Sequence, residues 1–165
     1  MTRRAERTGA VARALKSKSV LRSVVRPGLR SMSAKDRAHV AAEIRSEFVD
    51  GLALDDALGK HPSHVNANRW DFLLGHEPTH GIIGLEVHPA KNSEVKLVVA
   101  KRDWAEGIIR AEFVAGAKVH RWFWAASGSN GIIPGSTEAR QITAANIRFV
   151  GSELRRAHLT WSDQR

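Results

Sequence analysis

The sequence predicts an α/β (or α+β) fold with a single mixed central sheet flanked by helices. Three observations point there. Three apolar runs have strand length: residues 69–75 (RWDFLLG), 81–88 (GIIGLEVH) and 118–126 (KVHRWFWAA). Between and around them lie longer segments whose apolar residues recur at helical spacing. The chain has 165 residues, 42% of them hydrophobic, which suits one core and one domain.

Each element has its own signal. Residues 1–30 hold one short apolar pattern, Val11, Leu15, Val20, Leu21, Val24 and Val25, broken by Arg26-Pro27-Gly28. They are expected to form a basic arm, flexible or marginally helical, ahead of a domain spanning 31–165. Ser33 has the character of an N-cap, with Asp36 three residues on. A helix is expected from about Ala34 to Val49, because Val40, Ile44 and Phe48 repeat every four residues. Leu52, Leu54 and Leu58 extend that helix or form another turn. The polar stretch 59–68 is a loop. The strand 69–75 and the strand 81–88 follow, then a helix capped at Asn92 or Ser93 and running to about Ala115. The run 118–126 is a central strand, Ser129-Asn130-Gly131 a turn, and Ile132–Ile133 a further short strand. Ser136 caps a helix over 137–147, and 149–154 is a last short strand or an irregular end.

Composition narrows the chemistry. There is no cysteine, so disulfides, thiolate metal sites and a thiol nucleophile are excluded. No apolar run approaches the roughly 18 residues of a membrane span; no membrane association and a cytoplasmic location are expected. The formal charge is +9, unevenly spread. Residues 1–30 carry nine Lys/Arg against one acid (Glu6), giving +8; residues 31–165 carry seventeen basic and sixteen acidic residues, giving +1. Such an arm suits a polyanion through phosphate contacts and counterion release. Arg3, Arg4, Arg7, Arg13, Lys16, Lys18 and Arg22 are its candidate nucleic-acid contacts. A solvated tail is the plainer alternative.

Residues 76–80, His-Glu-Pro-Thr-His, match the zinc-protease signature H-E-x-x-H. That signature needs both histidines on one helical face. Pro78 costs about 3 kcal/mol or more inside a helix, and Gly75 and Gly81 flank the segment between strand-like runs. It is expected to be a loop, with His76 and His80 exposed.

The loop makes a hairpin of the strands on either side. With the tip near Pro78, Asp71 lies opposite Leu85, one residue from Glu86. Side chains alternate along a strand, so Glu86 and His88 share a face. A carboxylate inside an apolar strand is costly unless it is paired or binds a metal. Asp71 and Glu86 on neighbouring strands suit a hard divalent cation, Mg²⁺ or Mn²⁺. Pairing alone is the alternative: Asp71 with Arg69, Arg121 or a loop amide, Glu86 with Lys91 or Arg121.

Helix, strand with Asp71, strand with Glu86-Val87-His88, helix and strand, in that order, resemble the PD-(D/E)xK (restriction-endonuclease-like) nuclease superfamily over roughly residues 34–126. The resemblance implies metal-dependent phosphodiester hydrolysis, with Asp71 and Glu86 as metal ligands. It departs from the family at the motif lysine, where His88 stands. His88 is then a base or donor, or Lys91 or Lys96 supplies the charge, or the site is degenerate and only binds. By the same resemblance an acid of the first helix, Glu43 or Glu47, joins the metal. The implied partner is nucleic acid, DNA ahead of RNA, with a protein partner or a homodimer as further options. Trp122-Phe123-Trp124 is expected to be core rather than a base-stacking platform.

Overall fold

One sheet of six strands organises the molecule, in the order β1 (Arg26–Pro27), β2 (Phe48–Ala53), β3 (Phe72–His76), β4 (Gly81–Ala90), β5 (Val119–Asn130) and β6 (Ile147–Phe149). The structure is a computed structural model and describes residues 8–160. The first four strands form an antiparallel meander, and β4, β5 and β6 run parallel. Parallel neighbours need a crossover. Helix α4 (Val95–Glu112) joins β4 to β5, and α5 (Thr137–Ala144) joins β5 to β6. The mixed α/β sheet expected from the sequence is therefore present.

The sheet is buried on both faces. One face packs α4 and α5 over Trp70, Leu73, Ile82, Trp122 and Trp124. The other covers Phe72, Leu74, Ile83, Leu85 and Phe123 with Val40, Ile44, Leu154 and Leu159. Residues of β5 alternate between the two faces, so Trp122, Phe123 and Trp124 are all core. They form edge-on pairs: Trp122 with Trp70 and Trp124 with Phe149.

The helix expected over 34–49 is not formed as one piece. Only α2 (Ala34–Arg37) is α-helical, with Ser33 Oγ accepting from Asp36 N–H at 3.1 Å as its cap. A 3₁₀ turn follows over Ala42–Glu47, and then β2. The four-residue repeat Val40, Ile44, Phe48 arises instead from three separate contacts with one core. Tertiary bonds set the local course: Leu154 N–H donates to His39 O, and Ala41 N–H to Leu154 O. Leu54–Leu58 forms its own short helix, α3. The strand expected at 69–75 covers 72–76, the expected helices end at Glu112 and Ala144, and Ile132–Ile133 forms no strand.

The N-terminal segment differs most from its expectation. Residues 1–7 lie outside the described residues. From Thr8 on, the segment packs on the sheet rather than standing off it. Helix α1 (Ala10–Ala14) buries Val11, and Leu15 and Leu21 are also core. The carboxylate of Asp50, on β2, takes the N–H of Val11 on Oδ1 (3.2 Å) and of Ala12 on Oδ2 (2.9 Å). Such a cap satisfies the donors that a helix start leaves unpaired. Two glycines make room for it. A Cβ at Gly9 or Gly75 would lie 2.2 or 2.1 Å from the Asp50 carboxylate.

Candidate functional site

The hairpin β3–β4 closes with His76 level with Gly81, so Glu77 to His80 form a four-residue turn. His80 sits at φ 55° and its N–H donates to Glu77 O. The two histidines of H-E-x-x-H thus occupy a strand end and a turn, which excludes a zinc-binding helix. His76 was expected to be exposed, but it is 2% exposed and its Nδ1 lies 2.9 Å from Thr79 Oγ1.

Phe72, not Asp71, is level with Leu85. The one-residue shift follows from the four-residue turn and brings Asp71 level with Glu86. The pair is clamped reciprocally. Asp71 N–H donates to Glu86 Oε2 at 2.9 Å, and Val87 N–H donates to Asp71 Oδ2 at 3.0 Å. Glu86 points to the face covered by α4, and there the Lys101 ammonium donates to its Oε1. Next on the same strand face, His88 places Nδ1 3.7 Å from Glu86 Oε1 and Nε2 2.9 Å from Glu94 Oε2. Trp124 Nε1–H donates to His88 O at 3.0 Å and fixes that strand end.

Burial dominates the electrostatics. Glu86 is fully buried. Desolvation first, then the Asp71 charge, push its carboxyl up to about 8 against the opposing pull of Lys101. Asp71 rises to about 6, again mainly by desolvation, with the Val87 amide and Lys101 opposing. The two acids resist ionising together, so at neutral pH Glu86 keeps its proton while the Asp71 carboxylate and the Lys101 ammonium balance each other.

Lys101 is the residue that sequence reasoning missed. Its signal was present: it lies three residues after Val98 and four before Ala105, both buried, so it falls on the inward stripe of α4. Lys91 instead precedes the turn leading into α4, and Lys96 lines a groove against α5; neither contacts Asp71 or Glu86 among the described residues. Glu47 is held by Arg156 at 3.0 Å and lies 3.8 Å from His76, beyond the other end of β3, and Arg156 also takes the Glu43 carbonyl. The acids of the expected first helix therefore do not join Asp71 and Glu86. Arg69 pairs with Asp55 at 2.7 Å rather than with Asp71.

Of the basic residues at the N-terminus, Arg3, Arg4 and Arg7 lie outside the described residues. Arg13 and Lys18 are exposed, Lys16 Nζ donates to Ala111 O at 2.8 Å, and Arg22 Nη1 to Leu15 O at 3.1 Å. No helix among the described residues is long and apolar enough to cross a membrane. Compared with known proteins, the chain matches no family model, no curated protein and no solved structure.

Proposed function

We propose that the chain is a metal-dependent phosphodiesterase of nucleic acid, of the PD-(D/E)xK kind, acting on DNA ahead of RNA. The observation that carries the reading is the carboxylate pair Asp71–Glu86, clamped across β3 and β4 with Lys101 on Glu86. The antiparallel strands β2, β3 and β4, followed by a crossover helix and the parallel strand β5, support it. In this reading Lys101, from the crossover helix, takes the part of the motif lysine that His88 displaces.

The donor set suits Mg²⁺ or Mn²⁺. Both ligands are hard oxygens, and Asp71 Oδ1 accepts no hydrogen bond among the described residues. The described residues contain no cluster of three His, Asp or Glu side chains, as a closed zinc site would need. Mg²⁺ asks for less, since one or two carboxylates serve it when waters and substrate phosphates complete its shell. Bound there by Asp71 and Glu86, the ion would supply positive charge against the phosphate oxygens. Lys101 keeps Glu86 oriented and adds an ammonium to the same pole. Glu94 orients His88, whose Nδ1 is the atom placed to hold or pass a proton near the carboxylate pair.

One observation favours a second reading. Both Glu86 oxygens already have partners, so Asp71, Glu86 and Lys101 also close as an internal ion pair in a non-catalytic binding module. Incubation with supercoiled DNA, single-stranded DNA and structured RNA, with Mg²⁺ or Mn²⁺, separates the two. Cleavage lost in Asp71→Asn and Glu86→Gln and on chelation supports the phosphodiesterase. Salt-sensitive binding without cleavage supports the module.

A further inference from the structure

We propose that a basic cleft at the opposite end of β4 from Glu86 grips the phosphate backbone of nucleic acid. The cleft has a volume of about 400 Å³ and lies between α1, the hairpin turn and the chain reversal 114–118. Its charged and titratable lining among the described residues is Arg13, His80, Lys118 and His120, and no acidic residue lines it among them. Apart from Ile82 and Val114, the remaining walls are small residues such as Ala10, Ala14 and Gly116, which leave room for a backbone to approach. The inference deepens the function proposed above by locating a hold on the substrate away from the acid pair.

The cationic groups sit on a fixed frame. Helix α1 is held by Asp50 and by burial of Val11. Leu15 bridges to Phe113, Val114 N–H donates to Ala14 O at 2.8 Å, and Lys16 N–H to Glu112 O at 2.9 Å. Arg13 and Lys118 therefore flank the cleft from two segments tied to each other. Gly81 lets the His120 ring lie against β4, since a Cβ there would meet His120 Cδ2 at 2.5 Å. Of the acids close by, Glu112 Oε2 accepts the Ser19 hydroxyl at 2.6 Å, and the Asp50 carboxylate, which feels the Arg13 charge, accepts the Val11 and Ala12 amides. All four of these residues are exposed. The formal charge of +9 over the whole chain favours encounter with a polyanion.

The test is binding of a short labelled duplex to the full chain, by fluorescence anisotropy in EDTA across a salt series. Each phosphate contact contributes about 0.9 to the slope of log K against log salt. The double variant Arg13→Ala/Lys118→Ala is expected to bind at least about tenfold more weakly and to lose about 2 from that slope. A control removing two exposed charges elsewhere, Lys35→Ala/Arg140→Ala, is expected to change the slope by less than half as much. The charge-keeping variant Arg13→Lys/Lys118→Arg is expected to bind as wild type does, which guards against a folding defect. Equal losses in the two alanine variants, or none in the first, would overturn the cleft and leave it to an acidic protein partner. Cleavage assays on the same proteins separate this from the reading above. Cleavage with an unaltered slope in the first variant sinks the cleft alone. A lost slope in a protein that never cleaves upholds the cleft and sinks the phosphodiesterase.

Discussion

Two neighbouring strands each bury acid, and they solve the problem differently. Asp50 on β2 is 4% exposed and meets it with backbone: one amide on each oxygen, and no side-chain cation within hydrogen-bonding distance among the described residues. Glu86 on β4 is fully buried, holds one amide, shares its pocket with a second acid and needs an ammonium. Burial raises both carboxyls above their ordinary range. Amides satisfy a carboxylate without adding charge, so Asp50 completes a structural joint. The Asp71–Glu86 pair instead balances its second carboxyl with a proton, and a divalent cation that displaced this proton would take its place.

The largest expected effect sharpens that contrast. Glu86→Gln is expected to lower cleavage by at least about 10²-fold, equivalent to about 3 kcal/mol of transition-state stabilisation. Asp50→Asn is expected to change it by at most a few-fold when both are assayed well below their melting temperatures. Comparable losses in the two variants would break the comparison.

Stability is expected to show the reverse order. Asp50→Ala leaves two amides unpaired in the interior and should cost about 2–5 kcal/mol by urea unfolding. Gly75→Ala pushes a methyl into the same carboxylate and should cost about 1–3 kcal/mol. The double variant should fall clearly short of the sum, because both break one joint.

The pH dependence is the subtler distinction. The Glu86 carboxyl titrates near 4.5 when unfolded and near 8 when folded. The folded state therefore holds the proton longer. The associated stability is complete below about pH 4.5 and is lost as pH rises to about 8. Asp71 acts likewise between about 3.8 and 6. Each proton changes stability by at most about 1.4 kcal/mol per pH unit. Chelator-treated wild type should thus lose stability relative to Glu86→Gln between pH 5 and pH 8. Mg²⁺ should flatten that loss in wild type and leave Glu86→Gln unmoved. A metal-independent difference would assign Glu86 to pairing alone.

The sequence showed the Asp71–Glu86 hairpin because a carboxylate inside an apolar strand stands out, and Pro78 with its flanking glycines marked the turn. Register was off by one since tip position depends on turn geometry, here a histidine in the left-handed region. The sequence does not single out Asp50, because the four-residue repeat ahead of it reads as a helix running to about Val49. The signal lay in Phe48-Val49-Asp50-Gly51-Leu52, an acid between apolar neighbours. Lys101 went unnoticed because a lysine on a long helix is usually solvated. Its partners come from strands fifteen and thirty residues earlier, and no local pattern encodes them. The segment 8–30 looked like an arm because its apolar residues are sparse and its charges many. What buries Val11 and Leu15 is contributed by residues far along the chain.

The Asp50 joint also bears on the order of folding. A five-residue helix has no stability of its own, since nucleation outweighs so few bonds. Its cap lies 38 residues ahead of Ala12 in sequence, and Gly75 must be seated before the carboxylate fits. Helix α1 is therefore expected to form after β2 and β3 have paired. The amides of Val11 and Ala12 then report in hydrogen exchange on the opening of β2 from β3, and the start of the chain is a late-closing latch on a meander already built.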